Sequence, residues 1–165
     1  MAFESLTDEF IEDLISCRKQ VMNPKAREVI KPGHKQINYI VHALDESGHE
    51  FELFTRENTE PGMEDDFSCG LLWNAPNGES LILCRYNGPS HNHRNQIDKQ
   101  SLGLVCHVHR ATERYIKASR KPDGFAFQAD QYVTLNEAFH CLINDCRIEG
   151  FASGDVNMNQ FDLFK

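Results

Sequence analysis

Residues 37–55 read INYIVHALDESGHEFELFT. Ile37, Tyr39, Val41 and Ala43 fall on every second position, Asp45 to Gly48 supply turn residues, and Phe51, Leu53 and Thr55 resume the alternation. A period of two lines up one set of side chains on one face of a strand. Two such runs around a polar, glycine-containing turn make an antiparallel hairpin. The chain is therefore built on a sheet with one buried face. Residues 67–86, FSCGLLWNAPNGESLILCRY, give a second hairpin around Ala75-Pro-Asn-Gly78, and residues 102–110, LGLVCHVHR, read as a fifth strand.

Helices flank these strands. Thr7 suits an N-cap, Asp8 and Glu9 suit a first turn, and Phe10, Ile11, Leu14 and Ile15 form one apolar stripe, which predicts a helix to about Val21. Residues 111–120, ATERYIKASR, predict a short helix, and 121–131, KPDGFAFQADQ, a loop. Thr134 caps a further helix carrying Leu135, Ala138, Phe139, Leu142 and Ile143 and ending near Cys146. Residues 150–165 read as an irregular tail with spaced aromatics. The expectation is a single α+β domain over residues 1–165: a meander of about five antiparallel strands, with an N-terminal helix and C-terminal helices packed on one face.

At 165 residues, with 40% hydrophobic and 25% charged, the chain has the composition of a globular domain rather than of a disordered or membrane protein. No apolar run approaches the roughly 18 residues of a bilayer span. The acidic start MAFESLTDEF lacks the basic and apolar regions of a signal peptide, so a cytoplasmic protein with no membrane partner is expected. The six cysteines include no C-x-x-C pair and are expected to be buried free thiols.

Charge is unevenly distributed. Between Arg85 and Lys121 eight Lys and Arg face two acids, a local +6, which leaves −14 on the remainder of a chain whose net charge is −8. An acidic body with one basic segment points to an anion site. In that segment Arg110, Arg114 and Lys117 share a helix face at i, i+4 and i+7. They are candidate phosphate binders together with Arg85, although Glu113 also stands four residues before Lys117.

The same segment holds half of the eight histidines, as two H-x-H pairs: His91/His93 and His107/His109. Strand alternation places Leu104, Cys106 and Val108 on one face and Val105, His107 and His109 on the other. With the apolar set towards the core, the two histidines stand side by side on the polar face. The preceding strand, SLILCRY, sets Leu81, Leu83 and Arg85 on one face and Ile82, Cys84 and Tyr86 on the other. Pairing of the two strands brings Arg85 or Tyr86 near the histidines. His91 and His93 ride the polar segment NGPSHNHRNQIDKQS that follows.

Three chemistries fit. Four imidazoles can close a tetrahedral zinc site, although no carboxylate or cysteine joins them at ligand spacing and the local charge is positive. Alternatively, histidines take and give the protons of RNA cleavage while arginines hold the phosphate, with no cofactor required. Here His107 and His109 are the acid–base candidates and His91 or His93 their loop-borne partner. Tyr86 and Tyr115 are then candidates to stack a base. A third reading is non-enzymatic: an inhibitor that mimics nucleic acid with Glu57, Glu60, Glu64, Asp65 and Asp66, bound to a host-protein partner. His34, His42, His49 and His140 stand alone and read as ordinary polar residues.

RYNGPSH followed by CHVHR resembles the short signature of TumE-like toxins, small bacterial and phage proteins with an Arg-Tyr-Asp-Asn-type segment before a Pro and His and then a strand bearing H-x-H. The resemblance covers about residues 83–115, with Asn87-Gly88 where the pattern has Asp-Asn. It implies a toxin of a toxin–antitoxin or phage-defence locus acting on RNA, with Arg85, His91, His107 and His109 in its site and an antitoxin as partner.

Overall fold

The computed structural model describes residue 3 and residues 5–152. Its first helix, α1 (Asp8–Ser16), starts as expected, with the Thr7 hydroxyl accepting the Phe10 N–H at 3.1 Å and Ile11, Leu14 and Ile15 buried. It does not run to Val21. The chain turns extended at Cys17, and Lys19–Val21 form strand β1, with Val21 in the core. The turn is held by Lys19, which is wholly buried. Its Nζ donates to the carbonyls of Ile15, Cys17 and Cys146 at 2.6, 2.7 and 2.8 Å. One ammonium thus satisfies the open carbonyl ends of α1 and of the long helix α3 (Leu135–Asp145).

Both predicted hairpins form: β3 (His34–Ala43) with β4 (Glu50–Asn58), and β5 (Phe67–Asn74) with β6 (Ser80–Asn87). The sheet is wider than the expected five strands. Beside the two hairpins and the fifth predicted strand, β9 (His107–Arg110), it takes in β1, β2 (Val29–Lys31), β10 (Phe125–Gln128) and β11 (Ile148–Glu149), giving nine strands among the described residues in the order β10-β9-β6-β5-β4-β3-β1-β11 with β2 beside β3. Pairing is antiparallel except between β1 and β11. β10 lies in the stretch predicted as loop. A small hairpin, β7 (Arg94–Asn95) with β8 (Gln100–Ser101), lies inside the polar segment after β6. The predicted strand over 102–110 is ordered as strand only from His107, so Leu104 is 68% exposed instead of facing the core.

The buried face is set by Tyr39, Leu53, Leu71 and Cys84, which pair in register across β3 to β6. α3 packs on it, with Phe139 6.0 Å from Tyr39 and Cys146 Sγ 3.6 Å from Cys84 Sγ. α1 joins the same layer through Phe10, 5.6 Å from Trp73. The third helix, α2 (Glu113–Lys117), has only five residues. The Glu113 N–H donates to Asp8 at 2.8 Å and the Asp8 N–H to Glu113 at 3.2 Å, so each acid caps the other's helix.

Between β5 and β6 the register passes from Leu71↔Cys84 to Leu72↔Ile82, skipping Leu83. This bulge corrects the simple alternation of SLILCRY: Leu81, Cys84 and Tyr86 turn to the core, and Ile82 and Arg85 to the opposite face. Phe151 packs 5.2 Å from Tyr39 and 5.7 Å from Phe139, while the expected tail beyond residue 152 lies outside the described residues. All six cysteines are free, four of them buried. No helix among the described residues is long and apolar enough to cross a membrane.

Candidate functional site

On the sheet face opposite the helices, Gln36, Arg56, Ser68, Asn87, His107 and Gln128 are successive cross-strand partners. Asn38, Phe54, Gly70, Arg85, His109 and Ala126 form the row beside them. The register therefore sets Arg85 next to His109 and Asn87 next to His107, as pairing of the two predicted strands requires.

The segment after β6 folds back over this face. It is fastened by Asn95, which is wholly buried: its Nδ2 donates to the Ala126 carbonyl and its Oδ1 accepts the Ala126 N–H, both at 2.8 Å. The side-chain amide thus pairs with edge strand β10 as another strand would. Two residues earlier, His93 donates from Nε2 to the carbonyl of Gly124 at 2.9 Å and to Asn95 Oδ1 at 3.0 Å. Its ring then lies 5.6 Å from that of His107 and 4.5 Å from that of His109, which are 5.0 Å from each other.

Three of the four predicted histidines meet, but under cover. His107 is 2% and His109 5% exposed. This corrects the expectation of an open polar face, because alternation separates the two faces of a strand without telling what folds over either. His107 donates from Nδ1 to the Val105 carbonyl and His109 from Nδ1 to the Asp123 carbonyl, both at 2.9 Å. Burial lowers the pKa of both, that of His109 to about 3, with Arg85 and the neighbouring histidines adding to the shift. Both rings are neutral at pH 7, with the lone pair on Nε2.

Arg85 joins this cluster to solvent. Its Nη2 lies 3.4 Å from the buried Asp123 carboxylate, near enough for charge attraction. Arg85 Nε, Asn87 Oδ1 and Asp123 Oδ2 are buried polar atoms without a hydrogen-bond partner. Arg85 and Asn87 also line an open cleft of about 370 Å3 over β4 to β6. Arg56 and Ser68 share its floor on β4 and β5, and the strand order sets His34, at the start of β3, and His91, beyond β6, on its two flanks. His91, with 79% of its side chain exposed, lies 3.9 Å from Asp66, the cleft's one acid among the described residues. It is the only one of the four predicted histidines that lines the cleft.

The remaining candidates are elsewhere. Tyr86 faces the core, where its hydroxyl donates to Asp145, and burial pushes its pKa far up. Tyr115 is 1% exposed and its hydroxyl accepts the Ile97 N–H at 3.2 Å. Neither ring is open to a base. Arg110 is bound by Glu12, Arg114 by Asp98 at 2.8 Å and Lys117 by Glu113. The three like charges on α2 and its approach are thus compensated one by one, and none lines the cleft.

The tetrahedral reading requires four rings at one centre. Three meet and His91 stands apart, and no group of three or more His, Cys, Asp and Glu among the described residues is arranged to hold a metal ion. Of the acidic segment, Glu57 binds Lys35 at 2.8 Å and Asp66 accepts from Asn58 at 3.0 Å, so it is partly engaged within the chain. Sequence reading missed Arg56, Asp123 and His34. Arg56 alternates with Phe54 on the polar side of the first hairpin and was within reach of the period-two pattern, whereas Asp123 and His34 have no local signal. No family model, curated protein or solved structure matches the chain.

Proposed function

We propose that the protein is a metal-independent endoribonuclease of toxin type that holds an RNA phosphodiester on Arg56 and Arg85 and uses His91 for proton transfer. The cleft carries this reading: two guanidinium groups on its floor, one of them reaching back to the buried histidines, and an exposed imidazole at its rim. A planar guanidinium matches phosphate oxygens, and imidazole gives and takes protons near neutral pH. The resemblance of RYNGPSH and CHVHR to TumE-like toxins supports the same class of reaction.

In this reading His93, His107 and His109 are positioning residues. His109 holds the backbone of Asp123, whose carboxylate faces Arg85. His93 and Asn95 hold the covering segment that delivers His91. An antitoxin partner belongs to the same proposal. Purified protein is expected to cleave single-stranded RNA in EDTA, with His91→Gln and Arg85→Lys each losing about a hundredfold or more. Inactivity of the wild type, or undiminished cleavage by His91→Gln, overturns it.

A further inference from the structure

We propose that His34 is the second proton-transfer residue of the site, dividing the chemistry with His91 from the opposite rim; the inference rests on the ribonuclease reading above. Pro32, Gly33 and His34 contribute one wall of the cleft, and Gly88, Ser90 and His91 contribute another. Gly33 has φ +82, a left-handed turn that glycine adopts without strain. The Thr59 N–H donates to the Gly33 carbonyl at 3.0 Å and fixes that turn beside the end of β4. His34 opens β3 opposite Asn58, while Arg56 pairs with Gln36 two residues along each strand. Both imidazoles therefore border the floor formed by Arg56, Ser68, Arg85 and Asn87, and Asp66 is the carboxylate that shares it.

Cleavage of RNA without a metal needs this division. One imidazole takes the proton of the ribose 2′-hydroxyl as that oxygen forms a bond to phosphorus. The P–O5′ bond breaks, and the other imidazole, initially protonated, gives its proton to the departing 5′-oxygen. Negative charge on the phosphorane oxygens falls to Arg56 and Arg85. The products are a 2′,3′-cyclic phosphate and a 5′-hydroxyl. The two histidines have exchanged protonation states and are reset by water, with no other reactant consumed. Asp66, the other proton acceptor on the cleft, already takes hydrogen bonds from Asn58 at 3.0 Å and Ser90 at 3.3 Å, so a single rim histidine leaves one of the two transfers without a partner.

The test uses the full chain with His34→Gln and His91→Gln and two RNA substrates. One is ordinary RNA, and the other carries sulfur at the 5′-bridging position, a leaving group that needs no proton. Each variant is expected to lose about a hundredfold or more on ordinary RNA. One of the two, and only one, is expected to recover to within about tenfold of wild type on the sulfur substrate, which marks it as the general acid and shows that it is folded. Undiminished cleavage by His34→Gln while His91→Gln is inactive overturns the role of His34 and leaves the ribonuclease reading standing. Recovery of neither variant overturns the division of labour. Inactivity of the wild type overturns both proposals.

Discussion

The carbonyl of Asp123 accepts the Nδ1 hydrogen of His109 at 2.9 Å, while the carboxylate of the same residue lies 3.4 Å from the guanidinium of Arg85. One loop residue therefore couples a buried neutral imidazole to the arginine on the cleft floor. Asp123→Asn keeps the shape and the backbone bond but removes the counter-charge of a mostly buried arginine. Uncompensated burial of a charge costs up to about 3–5 kcal/mol, and the part-exposure of Arg85 reduces this to about 2 kcal/mol. Urea unfolding of the variant at pH 7 measures the loss.

His109 links the same loop to pH. Its folded pKa of about 3 lies below the ordinary histidine value of 6.5, so between these limits the unfolded chain binds the proton and the folded chain does not. Stability then rises with pH across that window: the contribution is complete above about pH 6.5 and is lost as pH falls towards 3. The slope from this one group is at most about 1.4 kcal/mol per pH unit. Urea midpoints of the wild type are expected to fall steeply from pH 7 to pH 4.5, and those of His109→Gln less steeply. Equal slopes would show that another group carries the acid sensitivity.

Asn95 predicts a local effect. It makes two buried bonds to the backbone of Ala126 and receives a half-buried one from His93, all at 3.0 Å or less. Asn95→Ala leaves those partners unsatisfied, at about 1–3 kcal/mol for a buried group. The Ala126 amide and the amides of β7 and β8 are expected to exchange with deuterium much faster in the variant, while those of β3 to β5 keep their protection. Uniform loss of protection across the sheet would mean that Asn95 supports the whole fold rather than the covering segment.

The alternation of Ile37 to Thr55 and of Phe67 to Tyr86 was enough to read the central four strands, because a half-buried sheet prints its two faces on the chain with period two. The same rule erred at Leu83, where one extra residue moved Arg85 to the other face. The helical stripe from Phe10 to Ile15 gave no stop before Val21, because Lys19 ends that helix by a contact with Cys146, 127 residues away. At the site, adjacency of His107 and His109 was legible from spacing. Their burial was not, because it depends on Asn95 closing a segment onto a strand read as loop. Arg110, Arg114 and Lys117 looked like an anion site for want of Glu12 and Asp98, whose proximity is tertiary.

That last contrast gives the sharpest test of where an anion binds. Arg56 and Arg85 line the cleft, whereas Arg110 and Arg114 are held by Glu12 and Asp98. A cation that neutralises a phosphate displaces about 0.7 counterions on single-stranded RNA, so its removal lowers the slope of log affinity against log salt by about that amount. Arg56→Ala is therefore expected to weaken binding of a labelled single-stranded RNA about tenfold at low salt and to reduce the slope by about 0.7. Arg114→Ala is expected to leave both unchanged, because Arg114 lies outside the cleft and its charge is already matched by Asp98. Fluorescence anisotropy across a salt series with His91→Gln protein measures binding without turnover. If Arg114→Ala lowers the slope and Arg56→Ala does not, the anion lies on α2 and the cleft is not the site.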